Sequence, residues 1–155
     1  MRILHLLSQV SLTGAEVYAA DLCRYQMDHG DTCIIVSDTL FAATKAEYIP
    51  MSIHNRRWPN RIRIIIALVK LCRERQIDII HAHSRAASWV ANIVSKITRI
   101  AYVSSVHGRQ KAHFSSTRWN IYGANIVAVC ENIRDNLTEE LHIPSGCVRV
   151  IRNGI

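Results

Sequence analysis

No apolar run in this chain approaches the roughly 20 residues needed to cross a bilayer. The opening segment, Met1-Arg2-Ile3-Leu4-His5-Leu6-Leu7, is also a poor secretion signal. Its apolar stretch is about five residues, short of an h-region, and polar residues follow it. It reads as a first strand. Cysteine pairing is missing too: Cys23, Cys33, Cys72, Cys130 and Cys147 are odd in number and scattered. That argues against a disulfide framework and against a Cys-rich zinc site. Small buried thiols in a reducing cytoplasm are the simplest account. Aromatics are scarce at 6%, whereas Ile, Val and Ala abound, as in buried parallel strands covered by helices. There is no internal repeat, low-complexity stretch or linker.

What is present is one domain's worth of globular sequence. The 155 residues are 49% hydrophobic and 20% charged, enough for one core and too few for two. The imbalance lies in charge, +7 with a pI of about 9.5. A basic surface suits nucleic acid, anionic lipid or a phosphorylated substrate, and by itself selects none of them.

Strand-like runs alternate with helix-period segments. The runs are Ile3 to Leu7, Cys33 to Val36, Ile77 to His81, Ile100 to Val106, Asn125 to Val129 and Val148 to Ile151. A weaker run, Tyr48 to Ile53, contains Pro50 and is an edge strand or a loop. Helical faces are expected at Ala15, Tyr18, Ala19, Leu22 and Cys23, then at Ile62, Ile65, Ile66 and Val69. In that second helix Arg61, Lys70, Arg73 and Glu74 are assigned to solvent. A third helix carries Ala87, Val90, Ala91 and Val94, and a fourth Ile133, Leu137 and Leu141. Gly30 and Pro144 supply stop signals. The polar, basic stretch from His107 to Arg118 reads as a long loop.

This alternation predicts an α/β fold: a Rossmann-like, doubly wound, mainly parallel sheet with helices on both faces. In such sheets ligands bind beyond the carboxyl ends of the strands, where the strand order reverses. The segments to inspect are therefore Ser8 to Glu16, His81 to Arg85, His107 to Lys111 and Cys130 to Asn132.

The first of these ends in Thr13-Gly14-Ala15-Glu16. A helix starting near Gly14 aims free N–H groups at the crevice, and a glycine lets a ligand approach the backbone. The same residues also read as an ordinary helix cap, Thr13 with Glu16 in a capping box. Asp38 lies just past the second strand, about where a dinucleotide fold holds its ribose-binding acid. The Gly-x-Gly-x-x-Gly fingerprint is absent, however.

Histidines mark the next two strand ends. His81 and His83 flank Ala82 and share a face, and with His107 they could begin a metal site. No carboxylate or cysteine joins them in sequence, so no metal is expected and His81 reads as structural. His107-Gly108-Arg109 places a histidine where an apolar strand opens into a turn. Arg109, Lys111 and His113 add charge suited to a phosphate or an acidic acceptor, or form a solvated basic loop.

Four segments, taken in order, resemble family 4 retaining glycosyltransferases of the GT-B fold. They are Leu12-Thr13-Gly14-Ala15-Glu16, Ile77-Asp78-Ile79-Ile80-His81-Ala82-His83, Val106-His107-Gly108, and Ile126 to Leu137 followed by Val150-Ile151-Arg152-Asn153-Gly154-Ile155. The resemblance spans the chain and implies the N-terminal, acceptor-side domain of a two-domain enzyme. The carboxyl half, which holds the nucleotide sugar, is expected outside this sequence, as if cut at Ile155. It further implies transfer of a hexose, with retention, to a glycan or glycolipid of the cell-envelope polysaccharide or lipopolysaccharide type.

By the resemblance, His107 is the catalytic histidine that contacts the transferred sugar. Gly14 matches the glycine whose backbone nears the donor phosphate or acceptor. Thr13, Glu16, His83, Ser84, Arg109 and Lys111 are the other expected substrate-binding residues. No cofactor or metal is implied; the nucleotide sugar is a substrate. Thr13 replaces the first glycine of the family's usual pair, Arg152 replaces a proline, and Cys130 stands where a helix-capping serine is common.

Arg56-Arg57-Trp58-Pro59-Asn60-Arg61 could meet a membrane interface, stack on nucleic-acid bases, or form a solvated face. The expected location is cytoplasmic, peripheral at the inner face of the plasma membrane. A dinucleotide-binding oxidoreductase domain and a basic nucleic-acid-binding module are the alternatives. The first lacks its glycine fingerprint and the second a recognisable recognition element.

Overall fold

A computed structural model describes residues 1–8, 11–111 and 119–153. Seven strands form one wholly parallel sheet: β1 (Arg2–Leu6), β2 (Thr32–Ser37), β3 (Glu47–Pro50), β4 (Ile79–Ala82), β5 (Ala101–Val106), β6 (Ile126–Ala128) and β7 (Val148–Val150). Their order across the sheet is β3-β2-β1-β4-β5-β6-β7, so it reverses between β1 and β4. The helices are α1 (Gly14–Asp28), α2 (Trp58–Glu74), α3 (Arg85–Thr98) and α4 (Glu131–Asp135), the last running into a π-helical turn at Asn136–Glu140. The Pro50 run is indeed the edge strand, where a missing N–H costs no ladder bond.

Strand residues alternate between the two faces. Ile3, Leu7, Cys33 and Ile35 pack under α1 with Ala19 and Cys23. Leu4, Leu6, Ile34, Val36 and Ile80 pack with Ile64, Leu68, Val90 and Val94 of α2 and α3. The register carries this second face on to Ile126, Ala128 and Val148, which bury Ile133, Leu137 and Leu141 of the α4 region. All five cysteines are free. Among the described residues, no helix is long and apolar enough to cross a membrane.

The face assigned to α2 is corrected. Ile64, Leu68 and Cys72 are buried, while Ile62 is 54% and Ile66 64% exposed. Arg61, assigned to solvent, is buried, its guanidinium 4.1 Å from the ring centroid of Trp89. Apolar residues occupy most of this helix, so two stripes satisfy the helical period and only packing separates them. Trp89 also meets Trp58 and Trp119 edge-on, at 5.9 Å each. Its ring therefore supplies a polarisable surface for the buried cation.

Gly123 adopts φ +79, and a Cβ there would lie 2.7 and 2.9 Å from two ring carbons of Tyr102. That ring cannot yield easily, because its hydroxyl donates to the carbonyls of Ser88 and Ile121 at 3.3 and 3.1 Å. Gly123→Ala is expected to lower unfolding stability by about 2–4 kcal/mol, through left-handed strain plus overpacking. Urea denaturation checks this; a loss below that range would show that the turn relaxes.

Candidate active-site cleft

Two helices begin at the point of strand-order reversal. Thr13 caps α1, its hydroxyl accepting from the Glu16 N–H at 3.4 Å, and Ser84 caps α3, accepting from the Ala87 N–H at 3.3 Å. Their free N–H groups converge on a cleft of about 420 Å³ beyond the carboxyl ends of β1, β4 and β5. Thr13, Gly14, His83, Ser84, Arg85, Ser105 and His107 line it, with Gly108, Gln110, Tyr122 and Asn153 nearby. A Cβ on Gly14 would meet nothing within 4 Å, so its open face looks onto space a ligand can use. Ser84→Ala should cost about 1 kcal/mol through the lost cap. Thermal denaturation measures it, and an unchanged midpoint would show that the cap carries no load.

Four histidines run beneath and into this cleft on the α1 face. His5 and His81 are register partners on β1 and β4, His83 follows β4, and His107 follows β5. The His81 and His83 rings lie 4.1 Å apart, and His83 and His107 6.0 Å. Tyr18 of α1 stands edge-on to both His83 and His107. His81 Nε2 pairs with Ser105 Oγ at 2.8 Å, the structural role expected of it.

Burial, reinforced by neighbouring histidines, holds the pKa values of His81 and His83 well below the ordinary histidine value. Burial alone lowers that of His107. All three are therefore neutral at pH 7, when one ring nitrogen donates and the other accepts. Burial likewise pushes the Tyr122 phenol up to about 12, so it stays protonated.

Three polar atoms in the cleft walls are buried without a hydrogen-bond partner among the described residues: His83 Nδ1, His107 Nε2 and Tyr122 Oη. Such atoms cost about 1–3 kcal/mol each when left unpaired. Three of them in one set of walls give the cleft unused hydrogen-bonding capacity.

The expected site residues divide. Thr13, Gly14, His83, Ser84 and His107 reach the cleft; Glu16, Arg109 and Lys111 do not line it. Glu16 is buried, and its Oε1 accepts from the backbone N–H groups of Phe41 and of Ala42, the latter at 2.6 Å. Only the Thr13 half of the capping box therefore forms, and Glu16 ties α1 to the loop after β2. Arg109 pairs with Glu140 at the surface, and exposed Lys111 offers only its carbonyl, to Arg85 at 3.3 Å. His113 lies outside the described residues, as does 112–118 of the expected loop. Asp38 accepts from the His54 N–H at 3.0 Å, away from the cleft. Ser105 and Tyr122 were missed. A Ser-Ser pair inside an otherwise apolar strand was the available signal for the first.

Among the described residues, two side-chain groups could approach a metal ion, His5 with His81 and His83, and His5 with Cys23 and Cys33, their ligand atoms within 4.8 Å of one another. In the first, His5 Nδ1 and His83 Nε2 already share a hydrogen bond at 3.0 Å, and His81 Nε2 is paired with Ser105.

A seven-stranded parallel sheet, reversing at β1 and β4 over a polar cleft, defines a Rossmann-like domain of the GT-B type. The chain belongs to Glycosyltransferase Family 4, whose profile matches residues 12–155.

Solved structures agree in fold. A glycosyltransferase from Rickettsia africae superposes with a TM-score of 0.87 at 21% identity, over 99% of this chain and 43% of that one. Anabaena HepE in complex with UDP-glucose gives 0.80 at 19%, over 100% and 44%. The lipopolysaccharide outer core galactosyltransferase WaaB, in its apo form, gives 0.74 at 14%, over 100% and 46%. The chain thus spans less than half the length of each. A search of curated protein sequences gave no significant match.

Proposed function

We propose that this chain is the N-terminal, acceptor-side domain of a retaining hexosyltransferase. The enzyme would move a hexose from a nucleotide sugar to a glycan or glycolipid of the cell-envelope polysaccharide or lipopolysaccharide type. The observation that carries the reading is the trio of unpartnered atoms on His83, His107 and Tyr122, buried in the walls of a cleft in a Family 4 domain. HepE and WaaB supply the analogy for a UDP-sugar donor and an envelope acceptor.

In the transfer, the bond between the anomeric carbon and the phosphate oxygen breaks, an acceptor oxygen bonds to that carbon, and the acceptor's proton leaves with the phosphate. His107, neutral and unpaired at Nε2, contacts the transferred sugar. The N-termini of α1 and α3 and the Arg85 guanidinium favour negative charge developing on the leaving side. A second domain would hold most of the nucleotide, and no metal is assigned to the step.

We further propose a cytoplasmic enzyme, peripheral at the inner face of the plasma membrane. Exposed Trp58, Ile62 and Ile66, flanked by exposed Arg56, Arg57 and Arg63, form the surface offered to anionic lipid. Thermal shift of the full protein tests the binding class. Nucleotide sugars should raise the midpoint, whereas NAD and duplex DNA at moderate salt should not. Stabilisation by NAD alone would restore the oxidoreductase reading.

A further inference from the structure

His5 is a polar residue in the middle of the central strand, and it is 0% exposed. Its Nε2 lies 2.9 Å from Gln26 Oε1 on α1, and its Nδ1 lies 3.0 Å from His83 Nε2. Gln26 Oε1 also accepts from the Cys33 thiol, at 3.3 Å. Two groups converging on one carbonyl oxygen set the polarity of the chain, because that oxygen can only accept. His5 therefore carries its proton on Nε2. A neutral imidazole carries one proton, so its other ring nitrogen can only accept. His5 Nδ1 is then bare and accepts from His83 Nε2–H, which leaves His83 Nδ1 bare in its turn. That nitrogen is buried without a partner among the described residues, on a residue of the cleft wall.

We infer that Gln26 and His5 are positioning residues that lock His83 in its Nε2–H tautomer, so that Nδ1, buried in the cleft wall, is the acceptor left for a sugar hydroxyl. The inference rests on the sugar-transfer reading and adds a polarity to it. The N-termini of α1 and α3 and the Arg85 guanidinium present donors, which suit phosphate oxygens. His83 Nδ1 presents a lone pair, which a hydroxyl satisfies and an unprotonated phosphate oxygen repels. The cleft thus combines an acceptor matched to sugar with donors matched to phosphate. Neither Gln26 nor His5 lines the cleft, so both act through His83.

The experiment is nitrogen-15 NMR of the full protein labelled at histidine, near pH 7.5, paired with UDP-glucose turnover. Wild type should show His83 protonated at Nε2 and bare at Nδ1. Gln26→Leu removes the oxygen that orients His5, and a population of His83 protonated at Nδ1 should appear.

UDP-glucose should shift the Nδ1 signal if the hydroxyl belongs to the transferred sugar. UDP with free glucose should shift it if the hydroxyl belongs to the acceptor, and UDP alone should not. In Gln26→Leu the KM for the sugar concerned should rise roughly 5–30-fold, as for one lost buried hydrogen bond.

The inference is overturned by wild-type His83 protonated at Nδ1, by an unchanged tautomer in Gln26→Leu, or by no response to either sugar. Absence of turnover with every nucleotide sugar would defeat the transfer reading instead, while the tautomer spectra would still decide the positioning role.

Discussion

Changing His107 to alanine in the full enzyme is expected to lower sugar transfer about 100- to 1,000-fold, the usual cost of removing one polar group that acts on developing charge. The fold should survive. His107 is half-buried, sits past the end of β5, and its Nε2 has no partner among the described residues to lose. Unfolding stability should therefore change by no more than about 1 kcal/mol. Near-normal turnover would show that the cleft does not hold the reacting sugar. A collapse of stability would show that the ring serves packing rather than chemistry. His107→Gln keeps a polar atom near the same place and should recover part of the activity.

The second large effect is acid sensitivity. His81, His83 and His107 titrate near the ordinary histidine value of about 6.5 once unfolded, and lower in the fold. As pH falls through 6.5 the unfolded chain takes up these protons first. The folded chain is then at a disadvantage that grows until its own histidines protonate. Stability is thus whole above pH 6.5 and falls below it, by up to about 1.4 kcal/mol per pH unit for each histidine. Between pH 7 and 5.5 the loss should reach roughly 2–4 kcal/mol. Urea midpoints across this range measure it. A flat profile would mean that these imidazoles are already charged or hydrated, and His81→Gln should remove one proton from the dependence.

Much of the fold was legible because parallel strands buried on both faces read as apolar runs. Ile3 to Leu7, Cys33 to Val36 and Ile100 to Val106 each fell within a residue or two of a strand. The third helical face was read correctly, since Ala87, Val90, Ala91 and Val94 are its buried stripe. The α2 stripe was not, because isoleucines at 62, 64, 65 and 66 satisfy two faces at once.

The cleft was legible at Gly14, Ser84 and His107, since strand ends at a topological reversal are where ligands bind. Glu16 and Arg109 were drawn elsewhere by partners distant in sequence, the loop at Phe41 and Ala42 for the first and Glu140 for the second. Nothing local to Gln26 announces that it orients His5, 21 positions away, and through it His83. That link exists only when α1 packs across β1.

The central claim is that the His83–His107–Tyr122 cleft belongs to a sugar-transferring enzyme. The direct measurement incubates the full protein with radiolabelled nucleotide sugars and the glycolipid fraction of bacterial envelopes, then follows label into the lipid phase. The account predicts incorporation of one hexose with the donor's anomeric configuration retained, and its loss in His107→Ala. No incorporation from any nucleotide sugar, or equal incorporation by His107→Ala, would contradict it.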